Sequence, residues 1–132
     1  MADTLHDPIL DGEFRSHLAE GAIRMQRCSG CGRFRNPPRF ACPSCLSRDW
    51  RWADLSGDGV VETFLWYCEP VAEPFDDVPY NVALVRLAEG PGIFARIVDA
   101  HGDDLAVGQR VQAVIGERSG VPQLDFVRRR DR

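Results

Sequence analysis

Four cysteines carry the clearest chemistry in this chain. Cys28, Cys31, Cys42 and Cys45 stand in the pattern C-x2-C-x10-C-x2-C. Two residues between paired cysteines let both sulfurs turn toward one ion about 2.3 Å away, while backbone amides hydrogen-bond the thiolates. Two such turns, at opposite ends of a ten-residue excursion through Asn36-Pro37-Pro38, complete a tetrahedron. Four protein ligands leave no position for water or substrate, so a metal held this way is structural rather than catalytic. Zinc is the first expectation. The rivals are iron in a rubredoxin-like site, a pair of disulfides and a redox CxxC, the last of which needs one CxxC at a helix start after a strand.

The remaining reactive groups assemble into nothing as clear. Cys68 ends the apolar run Phe64-Leu65-Trp66-Tyr67 and is expected to be a buried small hydrophobe. To be a nucleophile it would need a histidine neighbour and a polar pocket. His6, His17 and His101 are the only histidines, and none lies in a catalytic motif. Asp76-Asp77 and Asp103-Asp104 are paired carboxylates, but beside Pro or Gly they read as solvated turns. The chain by itself does not look like an enzyme.

The elements that must position the cysteines follow from pattern. Asp7 can cap a helix and Pro8 suits its first position. Leu10, Phe14 and Leu18 recur every four residues, which predicts a helix over roughly 9–20, stopped by Gly21. A helix this short must dock, either on its own domain or on a partner. A short strand, Ile23 to Arg27, leads into the first cysteine pair, and Trp50-Arg51-Trp52 reads as a second. Ser56 to Gly59 is a hinge or turn. Five further strands are predicted over Val60–Cys68, Tyr80–Leu87, Gly92–Asp99, Arg110–Glu117 and Pro122–Val127, with turn residues between them. Five short strands suggest a small barrel, with the OB-fold leading. The fold class is therefore mainly β: an N-terminal helical segment (1–22), a rubredoxin-like zinc ribbon (23–56) and a five-stranded OB-fold barrel with a C-terminal tail (57–132). The Pro-rich link from Glu69 to Pro79 is long for a hairpin and is expected to be functional or to lie against something.

Composition bounds the partners. With 132 residues, 44% hydrophobic and 27% charged, the chain is an ordinary globular domain. No apolar run reaches the roughly 18 residues of a membrane span. The N-terminus lacks a basic stretch leading into an apolar one, so a cytoplasmic location is expected, where thiols stay reduced. The net charge of −4 is unevenly spread: residues 21–56 hold seven Arg and two acids, whereas residues 57–132 hold thirteen acids and eight Arg. All sixteen basic residues are Arg.

Taken in order, several segments resemble one family. These are Gln26-Arg27-Cys28, Cys31-Gly32, Pro37-Pro38-Arg39, Cys42-Pro43-Ser44-Cys45, Trp52, Gly57 to Val61, Val78-Pro79-Tyr80 and Asn81 to Leu87. Ala95-Arg96-Ile97-Val98 and Val107-Gly108-Gln109-Arg110-Val111 follow. The whole resembles the acyl-CoA-associated zinc-ribbon/OB-fold family, domain of unknown function thirty-five. The resemblance implies a noncatalytic accessory subunit of an acyl-CoA enzyme of the thiolase superfamily, whether thiolase, acyltransferase or a retro-aldolase of steroid side-chain breakdown. It also implies a hetero-oligomer, in some cases with a MaoC-type enoyl-CoA hydratase. Arg33, Arg35, Arg39, Arg48 and Arg51 are compatible with that role as bidentate partners of CoA phosphates, or else they only solvate the ribbon. Phe34, Phe40, Phe75 and Tyr80 are the candidate aromatic anchors of an interface. The terminal Arg128-Arg129-Arg130-Asp131-Arg132 is either a frayed or a docking tail.

Two other functions compete. Ribbons and OB-folds also bind single-stranded nucleic acid, but that needs a basic groove with interleaved aromatics, and the barrel half is acidic. A self-sufficient thioesterase or hydratase would have to use Cys68 or His101.

Overall fold

The computed structural model describes residues 8–36, 38–68, 79–101, 104–118 and 120–129, with the side chains of Pro8 and Asp11 left aside. Helix α1 runs Pro8–Ala19 and buries Leu10 and Leu18. It packs on this chain's own strands, which decides between the two docking expectations. Trp52 Nε1 donates to Glu13 Oε1 at 2.8 Å, and His17 stacks at a tilt on Trp52.

The ribbon sheet has the order β2-β1-β3, with β1 at Arg24–Cys28, β2 at Phe34–Arg35 and β3 at Trp50–Asp54. β1 is antiparallel to both neighbours, and Cys28 lies opposite Trp50 at its cysteine-bearing end. The predicted first strand is displaced by one residue, because Cys28 still pairs with β3 before the chain turns. An Arg24–Asp54 ion pair of 2.7 Å closes the other end of that ladder.

The second sheet has the order β6-β5-β4-β7-β8. Its strands are β4 (Asp58–Tyr67), β5 (Tyr80–Leu87), β6 (Gly92–Ala95), β7 (Arg110–Arg118) and β8 (Val121–Arg128). β4 starts two residues before the prediction, so the expected turn at Ser56 to Gly59 is half strand. A register shift between Val61 and Thr63 lets β4 pair with β7 through Asp58–Val60 and then follow β5 alone. Such a bulge bends the strand and lets it serve two parts of a barrel.

The strand predicted over Gly92–Asp99 breaks after Ala95, and the break closes the barrel. The Asn81 side chain accepts from Ile97 N (2.8 Å) and donates to Ile97 O (3.0 Å), standing in for a strand neighbour. The freed segment then pairs parallel to β8, with Phe126 N bonded to Arg96 O and Val98 N to Phe126 O, both 2.9 Å. Five strands in this order, joined by one parallel contact, make the expected OB-fold barrel. Phe126, Val85, Val111, Ala83 and Val61 fill it. Met25 of the ribbon and Leu18 of α1 belong to the same cluster, so ribbon, helix and barrel share one core.

The C-terminal arginines start inside the structure rather than in a tail. Arg128 bonds Asp99 through its backbone N (3.0 Å) and through Nη2 to the Asp99 carbonyl (2.8 Å), and Arg129 pairs with Asp58. Arg130 to Arg132 lie outside the described residues, as do Asp76-Asp77 and all of the Glu69 to Pro79 link except Pro79.

Candidate metal centre and docking surfaces

Each CxxC pair forms a tight knuckle, and the two knuckles repeat bond for bond. In the first, Cys28 N donates to Arg33 O and Gly32 N to Cys28 O. In the second, Cys42 N donates to Ser47 O and Leu46 N to Cys42 O. Gly30 N points at Cys28 Sγ (3.3 Å) as Ser44 N points at Cys42 Sγ (3.4 Å). The four sulfurs lie within 4.8 Å of one another, with Cys28–Cys45 at 3.5 Å and Cys31–Cys42 at 3.7 Å. A tetrahedron of thiolates about 2.3 Å from a central ion has edges of about 3.8 Å, so the spacing fits one zinc and is far from any disulfide.

The backbone prepares the thiolates. The Cys45 and Ser44 amides lower the Cys42 thiol to about 6. Cys28 is also lowered, chiefly by the Cys31 amide and against the cost of burial. At Cys45 the Ser47 amide favours the anion, but Cys28, burial, Cys42 and Cys31 together outweigh it and push the thiol up to about 11. Four thiolates crowded together repel, and a divalent cation is what lets all four ionise.

The equivalent fifth position of each knuckle has positive φ: +80° at Gly32 and +66° at Leu46. Glycine adopts this conformation freely, whereas at a leucine it costs about 1–2 kcal/mol. Leu46 is nonetheless 77% exposed.

The candidate arginines fall into three groups, with Arg39 half-buried between the exposed and the buried ones. Arg33, Arg48 and Arg51 are exposed, with Arg33 Nη1 bonded to Ser44 Oγ at 3.0 Å. Arg35 is buried: its Nε donates to Gln26 Oε1 (2.7 Å), its Nη2 donates to Arg39 O (2.8 Å), and its guanidinium lies over Trp50. Gln26 Oε1 also accepts from Arg39 N at 2.7 Å, so this amide organises the whole excursion between the knuckles. Sequence reasoning missed Gln26, since nothing in its residue type separates a buried hub from a surface glutamine.

The aromatics divide similarly. Phe40 is exposed, Phe34 is half-buried beneath Arg27, and Phe75 lies outside the described residues. Tyr80 is buried, stacked on Tyr67 and capped by Arg96 at 4.3 Å. Cys68 is exposed, contrary to expectation, because β4 ends at Tyr67 and its end runs past the barrel paired only with β5. His101 lines a cleft of about 340 Å³ with Trp66, Tyr80, Asn81 and Arg96, whose described lining includes no cysteine or carboxylate.

The barrel's outer wall carries a feature the strand prediction passed over. Ala83, Val85 and Leu87 of β5 are buried, which turns Val82 and Leu84 outward. The register sets Leu65 beside Val82, and Thr63 and Phe94 on either side of Leu84. Leu65 is 51% and Phe94 72% exposed, so an apolar strip crosses three strands on the side away from the core. The signal was present in Tyr80–Leu87, a run too continuously apolar for a wall with one wet face.

Comparison with known proteins agrees with this architecture. Residues 15–51 match the family model of the ChsH2 rubredoxin-like zinc ribbon domain, and residues 52–116 match the ChsH2 C-terminal OB-fold domain. A probable enoyl-CoA hydratase alpha subunit of Thermomonospora curvata is 36% identical over 87 residues, 66% of this chain but only 27% of that protein. A DUF35 domain-containing scaffold protein of Methanothermobacter thermautotrophicus is 34% identical over 90 residues, 67% of each chain. Among solved structures, a chain of the Ltp2-ChsH2(DUF35) aldolase superposes with a TM-score of 0.82 at 28% identity, covering 89% of this chain and 93% of that one. The zinc that the four sulfurs fit is thus the zinc of a known ribbon type. Both halves of the chain match, in the same order, the two halves of one family, and the chain belongs to it: the DUF35 scaffold family in its ChsH2-type form.

Proposed function

We propose that this chain is a noncatalytic accessory subunit of an acyl-CoA enzyme complex in the cytoplasm, with a thiolase-superfamily aldolase or thiolase as its first partner. The observation that carries the reading is the apolar strip of Leu65, Val82, Leu84 and Phe94 on the outer barrel wall. Water gains nothing from such a strip, whereas a partner surface would bury it and shield the sheet. Likeness to a chain of an aldolase complex supports the partner class. The name of the hydratase relative supports a link to an enoyl-CoA hydratase, which in this reading is of the MaoC type. In this reading the partner carries the catalytic groups for fatty-acid or steroid side-chain degradation, and the exposed Arg33, Arg48 and Arg51 meet CoA phosphates or partner carboxylates.

Single-stranded nucleic acid is the weaker alternative. Arg86, Arg128 and Arg129 of the barrel are engaged by Glu62, Asp99 and Asp58 respectively, which leaves less cation for a phosphate backbone.

The test is co-expression of the tagged chain with the thiolase-like and hydratase-like proteins encoded beside it, followed by light scattering of the purified material. A stoichiometric complex that Phe94→Asp weakens at least tenfold, without lowering the melting temperature of the free chain, is the expected result. A chain that stays monomeric with every such protein, or that carries nucleic acid instead, overturns the reading.

A further inference from the structure

The two knuckles share one hydrogen-bond pattern, yet they differ at the position where that pattern demands positive φ. The first has Gly32 there and the second Leu46. A glycine would satisfy the second turn as well as it does the first, so the metal site does not require a leucine. Nor does the fold: the side chain is 77% exposed and stands outside the shared core. Strain held in place for a side chain that its own fold leaves in water points to something outside the chain.

The surroundings indicate what that something is. Residues 27–51 contain six arginines and one acid, Asp49. Arg33 is held beside the second knuckle by Ser44, and the exposed Arg48 follows Leu46 by two residues. Phe40, 56% exposed, leads into the same knuckle from the other side. The ribbon tip therefore offers an apolar knob in a cationic setting.

We propose that Leu46 is the anchor of a second docking surface, at the ribbon tip, and that it inserts into an apolar pocket rimmed by carboxylates on the partner enzyme. The inference rests on the accessory-subunit reading and adds where the ribbon, as distinct from the barrel wall, engages the partner. Charge complementarity with the exposed arginines selects an acidic rim, and burying the leucine at the centre of such a rim removes its apolar surface from water.

Leu46→Gly tests the inference because its two effects have opposite signs. The zinc-loaded variant keeps one zinc per chain and melts at or above the wild-type temperature, since glycine relieves the φ strain. Its affinity for the purified enzyme identified by co-expression, measured by calorimetry, falls roughly ten- to a hundredfold, the loss expected from one buried leucine. Arg48→Glu lowers the association rate several-fold and flattens its salt dependence. Wild-type affinity in Leu46→Gly overturns the inference and leaves the accessory reading standing. Lost zinc or a lower melting temperature in that variant also overturns it, because the leucine would then be serving the fold. A wild-type chain that binds no enzyme removes both readings together.

Discussion

The buried side chains of the ribbon are Met25, Cys28 and Cys42 with the polar Gln26 and Arg35; those of the barrel include Val61, Ala83, Val85, Ile97, Val111 and Phe126 with the polar Asn81 and Asp125. The ribbon's interior is thus largely thiolates and hydrogen-bonded polar groups, whereas the barrel's is mostly hydrocarbon. A polar interior gives little net stabilisation because water competes for the same bonds, but leaving one of those groups unpaired is costly. An apolar interior stabilises in proportion to the area it removes from water. The ribbon should therefore depend on its metal and its exact partners, and the barrel on volume. Met25 and Leu18 complicate the contrast, since they fasten the ribbon and helix to the barrel's own core.

The sharpest way to break this comparison is to remove the metal. Cys42→Ser should release zinc completely, because metal binding and ribbon folding are one equilibrium, worth about 10–16 kcal/mol in isolated zinc-finger peptides. Elemental analysis should fall from one zinc per chain to none, and hydrogen exchange should lose protection over residues 24–54 while keeping it over 110–128. Loss of protection in both halves would mean that the shared core, not the metal, sets cooperativity. In the zinc-loaded wild type a maleimide should label the exposed Cys68 quickly and the four ligand cysteines only after chelation.

Phe126→Ala addresses the other half. Phe126 is fully buried and its backbone also makes the closing parallel bonds. Truncation should cost about 3–5 kcal/mol in chemical denaturation, through lost burial and the cavity left behind. Zinc content in the remaining folded fraction should stay at one per chain, which keeps this effect separate from that of the metal site.

The smallest effect concerns the barrel's buried carboxylate. Asp125 is buried on β8, so tightly set that a Cβ at Gly116 would collide with its carboxylate. Burial raises its pKa, opposed more weakly by the charges of Arg118 and Arg96. A raised folded pKa means the native state binds the proton more tightly, so stability declines as pH climbs from the unfolded value, about 3.9, through the folded one. Asp125→Asn should therefore raise the melting temperature at pH 7 by a few degrees and lose that advantage by pH 3.5. An equal gain at both pH values would show that the carboxylate's charge is not what matters there.

The cysteine spacing, the helical repeat of Leu10, Phe14 and Leu18, and the limits of Tyr80–Leu87 were legible in the sequence because each is a local property. Two residues between cysteines make a knuckle wherever it occurs, and a repeat of four makes a helical face. The features that required the tertiary structure depend on neighbours distant along the chain. Asn81 ends the strand over Gly92–Asp99 only because the barrel brings it to Ile97. Gln26 and Arg35 are buried only because the excursion between the knuckles folds back over β1. Cys68 is exposed because β4 outruns β7, and Leu65 becomes the neighbour of Val82 only through the strand register. Residue type and spacing therefore determined the metal and the class of fold, while long-range pairing decided which apolar side chains were left facing outward.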